Sequence, residues 1–164
     1  MYDSSILYDA PFLTYDGATV AFAELPVKDA LYRELQYGAV LSGLVPQSNI
    51  KLDMRNTPDR LYPFVVFRRI TSSENVVRYV RERVEIEVIA ARSQEALLDD
   101  IRDALLAEFA GQQKTWGQFT SDGVPDPETG LRMRCLHVST VEGYSNDLQE
   151  KTHIHIFLFS YIRG

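Results

Sequence analysis

The stretch Arg83–Gly111, RVEIEVIAARSQEALLDDIRDALLAEFAG, changes its periodicity halfway along. Its first part alternates. Val84, Ile86, Val88 and Ala90 fall on one face of an extended chain, and Arg83, Glu85 and Glu87 fall on the other with Arg81 just upstream. From Ser93 the apolar residues recur every three to four positions. Leu97, Ile101 and Leu105, flanked by Leu98 and Phe109, form a helical stripe. Ser93 is positioned to cap this helix, acids crowd its first half, and Gly111 stops it. A long strand running directly into an amphipathic helix predicts that the helix packs back onto the strand's apolar face.

Upstream, KDALYRELQYGAVLSGLV reads as a second helix. Asp29 is its cap and Leu31, Leu35 and Ala39 its stripe; Gly38 is unfavourable inside it, and Gly43 and Pro46 end it. NIKLDMR is a short strand, and YPFVVFRRIT after Pro63 a longer one. Downstream, LRMRCLHVSTVEGY and EKTHIHIFLFSYIRG are two further strands, preceded by the turn-rich loop TSDGVPDPETG. Helix, strands, helix, strands is the order of an α+β domain, with two helices against a mostly antiparallel sheet. Residues 1–28 are set apart as an N-terminal arm or added hairpin, with Asp16-Gly17 as its turn, and residues 29–164 form the domain. Tyr2, Tyr8 and Tyr15 are the arm's candidate contact residues, because aromatic side chains anchor interfaces. Trp116 fits a core or an interface equally.

Composition narrows the function classes. The chain has 164 residues, 45% of them hydrophobic, and a formal net charge of −6. An acidic chain is poorly suited to tight nucleic-acid binding, which depends on neutralising phosphates. The single Cys135 excludes an intramolecular disulfide and a thiolate metal cluster within one chain. No apolar run reaches membrane-spanning length, and MYDSSILYDAP lacks the basic and apolar segments of a signal peptide.

His153 and His155 raise the question of a metal centre. Their spacing puts both imidazoles on one strand face, continued by Phe157, Phe159 and Tyr161. A third ligand must come from elsewhere, and His137, with Cys135 nearby, is the remaining imidazole. The preferred reading is structural: partly exposed histidines at the polar start of a strand, with no metal and no cofactor. The loop DGVPDPETG does not match a calcium-loop pattern, and the chain contains no phosphate-binding glycine loop, nucleophile elbow or HExxH motif. The face bearing Arg81, Arg83, Glu85 and Glu87 is read either as a solvated sheet face or as one lining a subunit interface or lumen.

From Ala30 to Arg163 the chain resembles the tail-terminator, or tail-completion, proteins of long-tailed bacteriophages. The likeness lies in an ordered set of features: the helix ALYRELQYGAVLSGLV, the strand IKLDMR, the proline-aromatic strand YPFVVFRRI, the strand-to-helix run RVEIEVIAARSQEALLDDIRDALL, and the turn and strand DPETGLRMRCLHVST. The first 29 residues lie outside the pattern.

The resemblance implies a non-enzymatic virion protein, in the host cytoplasm during assembly and in the tail's neck region afterwards. It implies a homo-hexameric ring on the head-proximal end of the tail tube. That ring ends polymerisation of the tube protein and offers a docking surface to the head-side connector or stopper. Genomic DNA passes through its lumen without specific binding, which an acidic lumen favours. No membrane partner is implied. Two alternatives stand beside this reading: another neck component such as a head-tail stopper, and a metal enzyme built on His153, His155 and His137.

Overall fold

The computed structural model describes residues 23–24, 26–52, 62–74 and 79–162. The alternating stretch is strand β4, Tyr79–Ala91, which lies inside the sheet between β3 (Phe64–Glu74) and β7 (Glu150–Ile162). Both pairings are antiparallel. Among the described residues the sheet has seven strands, in the order β1-β6-β7-β4-β3-β2, with β5 also paired to β6. β6 (Thr129–Ser145) runs antiparallel to β7 and to β5 (Gln113–Trp116). Two short strands, β1 (Ala23–Glu24) and β2 (Ile50–Leu52), add parallel pairings to β6 and β3. The architecture is α+β with a mostly antiparallel sheet, as the element order predicts. β1 and the start of the first helix fall within the stretch 1–28 that the sequence reading sets apart as an arm. Tyr2, Tyr8 and Tyr15 lie outside the described residues.

Both helices pack on one face of the sheet. Helix α1, Val27–Tyr37, buries Val27, Ala30, Leu31 and Leu35. It is shorter than predicted. Gly38 ends it, donating its backbone N–H to the Glu34 carbonyl, and Ala39 is exposed rather than part of the stripe. The chain then turns to bury Leu41 and Val45 in the same core. Pro26 sits at the N-cap position and Asp29 lies within the first turn, so Asp29 is not the cap. Proline suits a helix start because the missing N–H would be unpaired there.

Helix α2, Glu95–Phe109, follows a short 3-10 turn over Arg92–Gln94. That turn occupies the residues where Ser93 was expected to cap. Instead, the Ala91 N–H donates to Gln94 Oε1 at 3.1 Å. The buried stripe is Leu98, Ile101, Leu105 and Phe109, and Leu97 packs at its edge. The helix stops where glycine predicts: Gly111 has φ +72°, and its N–H donates to the Cys135 carbonyl of β6. The stripe meets Val84, Ile86, Val88, Phe157 and Phe159 in one core. At its centre Phe109, Trp116, Phe157 and Phe159 interlock, with Trp116 and Phe159 edge to face at 5.6 Å. Trp116 is therefore a core residue, and its indole N–H donates to Glu108.

Candidate functional site

Cross-strand register sorts every side chain on β4, β7 and β6 to the inner, helix-covered face or to the outer one. His153 and His155 are inner-face residues, and both are buried. This corrects the expectation of partly exposed histidines. The core face extends past Phe157 to the end of β7 whose sequence, Lys151–His153, is polar.

A bulge in β6 at Val138 sets the histidine environment. Register slips between His137 and Ser139, so Thr140 faces inward opposite His155. Its hydroxyl lies 2.9 Å from His137 Nε2 and 3.0 Å from His155 Nδ1. The His153 and His155 rings stand edge to face at 5.7 Å. Buried His153 Nδ1 and His155 Nε2 have no hydrogen-bond partner among the described residues. Among the described residues, no group of three His, Cys, Asp or Glu side chains is arranged to hold a metal ion. Burial pushes the Cys135 thiol up to about 12, so it remains protonated.

The buried pair predicts acid lability. Burial pushes His155 down to about 4, helped by His153, His137 and Arg102. Burial also lowers His153, against the pull of Glu142 and Asp99. Above the ordinary imidazole value of 6.5, His155 is neutral whether the chain is folded or not, and its contribution is complete. As pH falls from 6.5 towards 4, the unfolded chain takes up a proton that the folded chain refuses. Stability should fall by up to roughly 3 kcal/mol through that window. Urea titrations at a series of pH values should show the loss, and His155→Leu should flatten it. An unchanged slope in that variant rules His155 out as its source.

The outer face is different. Row by row across β4, β7 and β6 it carries Arg81, Ser160 and Arg134; then Arg83, Leu158 and Leu136; then Glu85, Ile156 and Ser139; then Glu87, Ile154 and Val141. Of the charged ladder, Glu85 and Glu87 already have a partner within the chain. Arg68 of β3 binds both carboxylates, meeting Glu87 at 3.2 Å. Arg81 and Arg83 are exposed, and so are Arg132 and Arg134. Next to them lie Leu136 and Val141, 46% and 50% exposed, with Val138 at the bulge. β7 is thus covered by the helices on one face, while Ile154, Ile156 and Leu158 are half-buried on the other. Sequence reasoning missed Arg132, Arg134 and Leu136, although the alternation of LRMRCLHV places all three on one face. Arg68 was hidden because its partners are on another strand.

On the helix side, the loop between β5 and β6 is docked onto α1. Glu34 Oε1 accepts the Gly117 N–H at 2.9 Å, Arg33 donates to the Phe119 carbonyl at 2.7 Å, and the Tyr37 hydroxyl donates to the Ser121 carbonyl at 3.0 Å. Burial holds the Glu34 carboxyl above its ordinary value, with the Gly117 N–H opposing part of that shift. Within the loop, the Thr120 carbonyl accepts the Gly123 N–H, and Asp126 Oδ1 accepts the Glu128 N–H. The turn-rich reading of TSDGVPDPETG was right about its location, but the docking contacts on α1 were not legible.

Comparison with known proteins finds no family model and no curated protein that matches the chain. Among solved structures, a chain described as "Virion of native gene transfer agent (GTA) particle" is similar. It is 15% identical and aligns over 84% of this chain and 95% of its own length, with a TM-score of 0.55. The two chains share a fold.

Proposed function

We propose that this chain is a structural, non-catalytic virion protein that forms a ring on the head-proximal end of a phage-like tail tube. There the ring ends tube polymerisation and receives the head-side connector. The observation that carries this reading is the shared fold with a virion chain over 95% of that chain's length. The ordered likeness to tail terminators from Ala30 to Arg163 supports the specific role. A six-fold ring repeats one heterologous contact at every interface, so a contact that is weak alone suffices when the tube end templates it. Tyr2, Tyr8 and Tyr15, ahead of β1, are assigned to contact with a neighbouring subunit or the tube.

Electron microscopy of particles lacking the protein tests the role. Overlong or irregular tails are expected. Normal tails beside leaking heads would move the protein to the stopper position and overturn the terminator reading. Stoichiometric tightly bound metal in the purified chain, lost on His153→Ala or His155→Ala, would favour the enzyme alternative.

A further inference from the structure

The outer sheet face joins a basic cluster to an apolar strip. Register brings Arg81 and Arg83 of β4 and Arg134 of β6 to either side of Leu158 and Ser160, and Arg132 is the next outward residue along β6. All four arginines are exposed, and none has an ion-pair partner among the described residues. The strip of Leu136, Val138 and Val141 runs on from this cluster. Arginines beside exposed aliphatics are the composition of a protein interface, whereas a phosphate-binding surface would have no need of the strip.

Charge indicates what covers it. The chain's formal charge is −6, so setting these four arginines aside leaves −10 for the rest. Two copies meeting outer face to outer face would oppose their arginines, which disfavours a two-fold contact. The complementary feature is on the other side of the molecule. In the β5–β6 loop, Val124 is 58% exposed, and Asp122 and Glu128, which flank it in sequence, are exposed acids. The loop is held on α1 by the Gly117, Phe119 and Ser121 contacts, so little ordering is needed for it to bind. Because α1 packs on the inner face, this loop and the outer sheet face lie on opposite sides of the sheet.

We infer that the outer face around Arg81, Arg83, Arg134 and Leu136 is a docking surface for a second copy of this chain, whose β5–β6 loop sets Val124 on the aliphatic strip and Asp122 and Glu128 against the arginines. The contact is head-to-tail, the kind a ring requires. It deepens the ring reading and rests on it for its biological setting.

Photo-crosslinking the full chain from p-benzoylphenylalanine at Leu136 tests the contact, both in purified protein and in assembled particles. The expected product joins two copies, maps to residues 120–128 of the second, and weakens at high salt. Arg81→Glu with Arg83→Glu should lower its yield at least about tenfold, equivalent to about 1.4 kcal/mol. Asp122→Lys with Glu128→Lys in the same chain should restore it. Far-UV circular dichroism checks that the reversed chains fold. The wild-type crosslink map is decisive even if they do not. Self-crosslinks to any other element, crosslinks only to residues 1–22 of the same chain, to nucleic acid or to another protein, or none in either sample would overturn the assignment. Self-association through a different surface would leave the ring reading standing, whereas normal tails in particles lacking the protein would overturn that reading alone.

Discussion

Ile101→Asp should abolish folding at ordinary temperature, with most of the chain recovered as aggregate. Ile101 is fully buried in the middle of the α2 stripe, against a sheet face built from Val84, Ile86, Val88, Phe157 and Phe159. Losing the aliphatic side chain alone costs about 2–5 kcal/mol. The carboxylate must then either remain charged in an apolar site or take up a proton, and each choice adds several kcal/mol. The total reaches the whole stability of a typical small domain, about 5–15 kcal/mol. Ile101→Val, which removes one methylene and adds no charge, should cost only about 1 kcal/mol. Chemical denaturation of the pair makes the comparison. A folded Ile101→Asp protein with an unchanged midpoint would place α2 elsewhere than on this sheet.

The parts of the fold that were legible in the sequence are those governed by local periodicity. The β4 alternation and the α2 repeat each depend on contiguous residues, and each is long enough to average over exceptions such as Glu82, buried on the inner face. Helix ends were less legible. Asp29 and Ser93 are sound capping residues by type, yet Asp29 lies inside the first turn behind Pro26 at the N-cap, and Ser93 lies within a 3-10 turn.

Much of the candidate site depends on register, which no single strand encodes. Arg68 meets Glu85 and Glu87 because β3 is aligned beside β4, and Thr140 joins the histidines only because β6 bulges at Val138. Without the bulge, alternation from His137 would have sent Thr140 outward. The histidines show the limit most plainly. Lys151, Thr152 and His153 look like the wet end of a strand, but burial depends on what lies above it. Asp99 and Arg102 of α2 lie close enough to act on the His153 charge.

Gly117→Ala should destabilise the chain far more than Gly111→Ala, although both glycines have positive φ, +80° and +72°. At either position an alanine in this left-handed conformation costs about 1–2 kcal/mol. At Gly111 a β-carbon would meet nothing within 4 Å, so the conformational cost is the whole cost. At Gly117 it would lie 2.6 Å from the Cα and the carbonyl oxygen of Ala30. Those are backbone atoms of a fully buried residue of α1, and no rotamer change relieves the clash. Either α1 lifts from the core, exposing Leu31 and Leu35, or the loop moves away and the Gly117 N–H leaves the Glu34 carboxylate. Overpacking of this kind costs a further 1–3 kcal/mol or so. A total of roughly 2–5 kcal/mol is expected for Gly117→Ala against about 1–2 kcal/mol for Gly111→Ala, read from urea midpoints at constant slope. The loop route has its own signature: amide exchange should quicken from Gly117 through Val124 while α2 stays protected. If the two alanine variants prove equally stable, the loop does not rest on α1, and the rigid presentation of Val124, Asp122 and Glu128 that self-docking requires is lost with it.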